Sequence, residues 1–531
     1  MSIKSLIDNP HPVYSQYINY WNFLLQSYEG GIDYCQGQMN YASRQSNYIE
    51  VRVNGKKLQN KIVGGNLFKH KKERDEDYLE RVNMSYYYNF CSPIIDIYTN
   101  HLFKEAVINE WGNIEAAIKA REGNIDHKGS SVEEFRRDMA EQAQIYGHIF
   151  VLTDKPKSDV KIVSLAQQQE AGLFPYLTIF QPQDLLNWAV DEFGQLYWIL
   201  LRECRTGNID PMNFDKDKMN IFQYRIWTRT EWILFNAAFE EIERGTHGLG
   251  RVPLDIVYNK PSKKHKNCLG ISEIADISFI ARDVYNKCSE LNEIIRNQTF
   301  SILCLQGKSS EYDELSVGTS KALLYPPERN APQYISPAAE NASTLMMQID
   351  KQVHKMFQLA KLEGGSAQQV SQVDSQSGVS KAFDFQETNS TLAKKAGHME
   401  DGEMRIWDTF ARWEGQKEFD GSVSYSRDFN IQELNDELDE AEKMFRIQLG
   451  KEFNIKLKKE LIKKKFPRVS DEDMDKMMKE VETKEGQGEG SAIRDRLPGL
   501  FNRGTNMNAI QGGKNGGNGN DKAKGQLVIF S

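Results

Sequence analysis

Six cysteines in 531 residues stand far apart: Cys35, Cys91, Cys204, Cys268, Cys288 and Cys304 form no CxxC pair and no Cys/His set at zinc spacing. That pattern argues against a disulfide scaffold or a structural zinc module, and the thiols are expected to be free, in a reducing compartment. No stretch approaches the ~20 apolar residues that a membrane span requires, and the opening MSIKSLIDNPHPVY contains no apolar h-region. The expectation is a chain neither secreted nor embedded in a membrane, so that Asn-x-Ser/Thr matches such as Asn297-Gln298-Thr299 are chance.

Catalytic signatures are missing too. There is no GxxxxGK[ST] loop; Gly318-Thr319-Ser320-Lys321 imitates only its end. Gly245, Gly248 and Gly250 do not lead from a strand into a helix at dinucleotide spacing, and a turn is the simpler reading. HExxH and Gly-x-Ser-x-Gly are absent, and the nine histidines are scattered. Glu433, Asp436, Glu437, Asp439, Glu440 and Glu442 form a solvated helical run rather than a converging pair. The expectation is a protein that is not an enzyme and needs no cofactor or metal.

What is present describes a large polar chain. At 61.0 kDa it exceeds what one core organises, so two to four domains are expected. Hydrophobic residues make up 39%, charged residues 27%, and the mean hydropathy is -0.61. Aromatics at 11% favour folding over disorder. A net charge of -8 argues against a surface that grips nucleic acid everywhere, while a local basic patch stays open.

Along the chain, 1–75 is polar and Tyr-rich and reads as an irregular N-terminal segment. Residues 76–269 read as an α+β unit. Within it, Ile94, Ile95, Tyr98 and Leu102 have helical spacing with Pro93 near a helix start, and VEEFRRDMAEQAQIYG forms a second helix. IFVLTD, LTIF, DLLNWAV, YWILLREC, NIFQYRIWT, EWILFN and PLDIVYN then follow, and are expected to be antiparallel strands joined by short turns.

Two matched helical patterns come next. Residues 270–298 carry Ile277, Ile280, Val284, Cys288, Leu291 and Ile295 on one stripe, with Ser272 as N-cap. Residues 337–362 carry Ala342, Met346, Ile349, Val353, Met356 and Ala360, with Ser336-Pro337 at the start. Each would extend about 40 Å. Between them, 299–336 holds TFSILCLQ and ALLYPP around a Gly/Ser loop, a small β tip on a helical hairpin. A Gly/Ser/Gln loop fills 363–378. A longer helix follows within 379–430, with Gly397 and Gly402 weakening its continuity, and then the short strand of GSVSYSRDFN. Charged helices are expected over 431–483 and a mostly disordered tail over 484–531.

This order of elements resembles the tailed-phage portal proteins, and local sequence agrees. LTIFQPQDLLNWAVDEFGQLYWILLRE (177–203) is similar to the portal wing segment, and LGISEIADISFIARDVYNKCSE (269–290) to the start of the first stem helix. SGVSKAFDFQETNSTLAKKA (377–396) is similar to the lead-in to the helix after the tunnel loop, and VSYSRDFN to the strand before the crown. The match spans roughly residues 78 to 450, by order of elements more than by any strict motif.

The resemblance implies an α+β portal fold with a β-rich wing (76–269), stem helices (270–298 and 337–362), clip (299–336), tunnel loop (363–378), long wing helix and strand (379–430) and helical crown (431–483). It implies a homo-oligomeric ring, usually of twelve copies, at one capsid vertex of a virion assembled in the host cytoplasm. Double-stranded DNA would pass through its channel, and the terminase large subunit, tail adaptor proteins and the major capsid or scaffolding protein would be its partners, with no membrane involved. Gln368, Gln369, Ser371, Gln372, Asp374, Ser375, Gln376 and Ser377 would face DNA in the tunnel loop. Lys308, Tyr312, Lys321, Tyr325 and Arg329 of the clip would dock terminase or adaptor. Lys260, Lys263, Lys264, Lys266, Lys351 and Lys355 are the candidate phosphate contacts, each also readable as solvated surface. Two other readings are a virion or head-to-tail adaptor without a channel, and an enzyme with a diverged metal site, for which the sequence offers no motif.

Overall fold

The computed structural model describes residues 3–37, 65–156, 173–205, 221–264, 268–299, 339–362 and 378–427, with short strand pieces between 48 and 62, residues 302–304 and 333–335, and the single positions Met212, Phe429, Lys476 and Lys479. The chain divides into two units, Met1–Asn430 and Ile431–Ser531. The first contains nearly all of the described residues.

It opens on two helices, α1 (Ile3–Asp8) and α2 (Pro12–Glu29). The reading of 1–75 as irregular is corrected here. Proline stands at the start of α2, the His11 ring accepts from the Val13 N–H at 3.2 Å, and Tyr14, Ile18, Trp21 and Leu24 recur at steps of three and four on a buried face. Polar Asn, Gln and Ser on the outer face dilute that stripe in the sequence. Next come α3 (Asp75–Met84) and α4 (Cys91–Leu102), with a segment of no regular structure between them. Asn89 Oδ1 accepts from the Cys91 and Ser92 N–H groups and starts α4 two residues ahead of Pro93.

After strand β1 (Ile108–Glu110) and helix α5 (Glu115–Ala120) comes α6 (Val132–Tyr146). Ser131 and Glu134 form a reciprocal capping box at its start, and Gly147 ends it at φ 90. The chain then enters β2 (His148–Asp154), in which every residue is buried. This strand is the centre of a three-stranded antiparallel sheet with β3 (Tyr176–Phe180) and β9 (Leu254–Tyr258) on either side. Between β3 and β9 lies a five-stranded antiparallel meander: β4 (Leu185–Val190), β5 (Leu196–Arg205), β6 (Ile221–Thr228), β7 (Glu231–Phe235) and β8 (Glu241–Thr246). The strand segments expected from sequence occupy these places, and their ladders are antiparallel throughout.

Helices α7 (Ile277–Thr299) and α8 (Ala339–Leu359) follow, then α9 (Gly378–Trp413), which at 36 residues would be about 54 Å long. Gly397 and Gly402 lie inside α9 without breaking it. A Cβ at Gly402 would stand 3.1 Å from the Val257 side chain of β9, so glycine there lets helix and sheet approach closely. The final described strand, β12 (Ser422–Ser424), pairs with β1. One buried cluster joins α2, α4, α6, both larger sheets, α7 and α9. Within it, Arg136 of α6 and Glu403 of α9 form an ion pair at 2.7 Å, both side chains 2% exposed.

Candidate functional site

The hairpin of α7 and α8 is the feature that the rest of the fold positions. Ser272 does not cap a helix beginning at 271. Its Oγ accepts from the Ile274 N–H at 3.1 Å and donates to the Gln144 carbonyl at 3.2 Å, fixing a turn from which α7 starts at Ile277. The two helices are cross-linked through Gln352, which receives a hydrogen bond from Lys287 Nζ at 3.0 Å and donates to Asp283. Beyond α7, β10 (Ile302–Cys304) pairs antiparallel with β11 (Gln333–Ile335), Ile302 opposite Ile335. Helix, strand pair and helix therefore follow one another as the spacing predicts. The clip residues Lys308, Tyr312, Lys321, Tyr325 and Arg329 lie outside the described residues.

Burial falls along the hairpin from its base outward. Ile277, Ala281, Val284 and Cys288 are buried on α7, Leu291 is half-buried, and Ile295 is 42% exposed. On α8, Ala360 and Met356 are buried at the base, Val353 and Ile349 are half-buried, and Met346 is 49% exposed. The stripe foreseen on each helix is real but only its base is covered.

The base is a joint between five elements. α8 ends in a Schellman motif: the Leu362 N–H donates to the Phe357 carbonyl at 3.0 Å, the Lys361 N–H to Gln358 at 2.9 Å, and Lys361 takes φ 55. Tyr98 of α4 donates to the Ala360 carbonyl, and Thr388 of α9 to the Lys361 carbonyl at 2.6 Å. Lys395 of α9 lies under the lead-in turn of α7, donating to Glu273 at 2.6 Å and to Asn259, its Nζ 4.9 Å from the centre of the Tyr98 ring. Burial lowers the Lys395 ammonium. Burial pushes the Glu273 carboxyl up, but the Lys395 charge and the bonds from Lys395 and Asn259 outweigh it and hold it below the ordinary range. Both feet of the hairpin are thus tied to α9. Tyr98 is read from sequence only as part of a helix stripe, and Asn259, Glu273 and Lys395 not at all, because no local pattern links positions so far apart.

The candidate loop residues Gln368, Gln369, Ser371, Gln372, Asp374, Ser375, Gln376 and Ser377 lie outside the described residues. They fall between Leu362, at the hairpin base, and Gly378, the first residue of α9. Lys260, Lys263 and Lys264 are exposed in the loop after β9, and Lys266 lies outside the described residues. Lys351 and Lys355 are exposed on α8, where Lys355 donates to Gln358. No contact joins the two lysine groups among the described residues. Charges on the helices balance: Arg282, Lys287 and Arg296 against Asp283, Glu290 and Glu293 on α7, and Lys351 and Lys355 against Glu340 and Asp350 on α8. The two helices therefore carry equal numbers of basic and acidic side chains. Among the described residues no three His, Cys, Asp or Glu side chains gather to hold a metal ion.

No family model matches the chain, and no curated protein does. Among solved structures, it is similar to a chain in the neck of an empty GTA particle computed with C6 symmetry. That likeness has a TM-score of 0.34 and 8% identity over 67% of this chain and 84% of the other. A likeness this loose carries no conclusion about function.

Proposed function

We propose that the chain is a structural subunit of a phage virion and, more specifically, a portal subunit. The observation that carries the reading is the hairpin: α7, the β10–β11 pair, α8, a Gly/Ser/Gln segment and then α9, in the order that the portal resemblance demands. In this reading the chain is not an enzyme. Copies close into a ring through heterologous contacts, and the partly exposed hairpin stripe meets a neighbouring copy. DNA moves through the central channel in packaging and ejection, with terminase and tail adaptors docking at the clip. A charge-balanced hairpin suits that work, since firm phosphate contacts would resist sliding. The Gln-rich segment 363–378 would offer short-lived hydrogen bonds instead.

Negative-stain imaging of the purified full chain tests this. Rings with a central hole at several salt concentrations are the expected result. Monomers or dimers under all of them would overturn the reading and favour an adaptor without a channel.

A further inference from the structure

The hairpin of β4 and β5 ends in a firmly braced turn. The Asp191 carbonyl accepts from the Gly194 N–H at 3.0 Å, and the Asp191 carboxylate accepts from the Phe193 N–H at 3.0 Å, the Gln195 N–H at 2.8 Å and the Arg229 guanidinium at 2.5 Å. Aspartate at the first position and glycine at the fourth are what such a turn favours. Nothing in its geometry asks for phenylalanine at the third, where Phe193 is 81% exposed. Val190 and Tyr197, at the same end of the hairpin, are exposed as well. Glu192, at the second position, is exposed, and its carboxylate makes no ion pair or hydrogen bond among the described residues.

A second surface offers the opposite charge. The Arg282 guanidinium of α7 lies over Phe23, Phe68 and Phe279, at 4.7, 5.3 and 5.2 Å from the ring centres. Phe23 is buried, whereas Phe68 and Phe279 are 59% and 47% exposed. Phe279 also stacks on Tyr20 of α2, the ring centres 6.1 Å apart. The backbone of Phe68 is pinned on both sides: its N–H donates to Asn286 at 2.8 Å, and its carbonyl accepts from Arg81 at 2.6 Å. The Arg282 guanidinium makes no ion pair or hydrogen bond among the described residues, and Asp283 beside it is taken by Lys287 and Gln352. An arginine fork framed by aromatic rings suits a carboxylate that has an apolar group next to it. Arginine and aromatic side chains are also the residues that dominate the energy of protein contacts.

Each surface supplies what the other lacks. The tip carries a carboxylate and a ring, and the platform carries a cation and exposed rings. Phe193 is too exposed to be lying on the platform of its own chain, so the two can meet only between copies. We propose that the Glu192-Phe193 tip of one copy docks on the Phe68–Phe279–Arg282 platform of a second copy, with Glu192 paired to Arg282 and Phe193 packed on the rings. The contact joins two different patches and is therefore heterologous, so its repetition closes a ring or extends a filament. Because tip and platform are both held by hydrogen bonds before they meet, little ordering entropy is lost on docking. Closure into a ring rests on the portal reading, whereas the pairing of the two patches rests on their exposure and charge.

Sedimentation velocity of the purified full chain over a range of concentrations, with negative-stain imaging of the same samples, tests the contact. Glu192→Arg and Arg282→Glu each set like charges against one another in every contact, and each should raise the concentration needed for assembly by about tenfold or more. Phe193→Ser should weaken assembly in the same way with melting unchanged. Glu192→Arg combined with Arg282→Glu in one chain should assemble within about threefold of wild type. An equimolar mixture of the two single variants should assemble too, since alternating copies again set arginine against glutamate. Single variants that assemble like wild type overturn the contact and leave the platform to a different protein. Losses rescued neither in the double variant nor by mixing also overturn it. Should Arg282→Glu lower the melting temperature, a cycle of Glu192→Gln and Arg282→Gln replaces it, and additive effects would overturn the pairing. Wild-type rings indifferent to all these changes refute only the contact. Oligomers without a central hole that respond to the charge exchange refute only the portal reading, and a chain that is monomeric at every concentration refutes both.

Discussion

At the scale of single residues, the most consequential group outside the hairpin is His148, the first residue of β2. It is fully buried, its Nδ1 accepts from the Gly270 N–H at 3.1 Å, and its Nε2 has no partner among the described residues. Burial lowers this imidazole from 6.5 to about 3. The unfolded chain therefore binds a proton near pH 6.5 that the folded chain refuses until pH 3, so the stability linked to His148 is present above pH 6.5 and is lost as pH falls. Between pH 7 and pH 4 the loss is about 3 kcal/mol. Asp255 pulls the other way: burial, opposed by Arg251 and Thr409, raises its carboxyl to about 6, so its contribution is greatest below pH 4 and fades as pH rises through 6. Asp255 is common to wild type and variant and cancels when they are compared. His148→Asn keeps an acceptor for Gly270 and removes the titration. Urea unfolding at pH 7 and pH 4 should show the variant gaining about 3 kcal/mol on wild type at the lower pH. A stability difference that does not change with pH would mean that the imidazole is not held neutral by burial.

Among elements, α9 organises the fold, and its hold is concentrated in a few polar contacts. Glu403 receives Arg136 at 2.7 Å and the Trp407 indole at 3.2 Å, and the Tyr425 hydroxyl donates to its other oxygen. Arg136→Met leaves a buried carboxylate without its cation and should destabilise by about 3–5 kcal/mol, whereas Arg136→Met with Glu403→Leu should recover most of that loss. Denaturation of the two single variants and the double variant closes the cycle, and additive losses would show the pair to be uncoupled. Periodicity made the helices α7, α8 and α9 legible in the sequence, and alternation with turn residues made the antiparallel strands legible, because both are local patterns. The Arg136–Glu403 pair and the Lys395–Glu273 pair were not legible, since their partners lie 267 and 122 residues apart. The α2 helix was missed for a different reason: its buried Tyr14, Trp21 and Leu24 are separated by polar residues that mask the stripe.

For the whole molecule, the decisive question is what covers the outer half of the hairpin. Ile295 is 42% exposed and Met347 65%, on helices whose basal residues are fully buried. Because both side chains are already in contact with water, Ile295→Glu with Met347→Glu should change the stability of an isolated subunit by no more than about 0.5 kcal/mol for each substitution. In a ring the same changes place carboxylates in every subunit contact, and burying an unpaired charge is far more costly than exposing one. Closure multiplies the effect, since each copy would donate and receive the altered face. The expected outcome is a variant that melts like wild type but sediments as a monomer and yields no rings in stain. Rings as abundant as wild type would show that this face looks into solvent or channel, and the contacts between copies would then have to be sought on the wing.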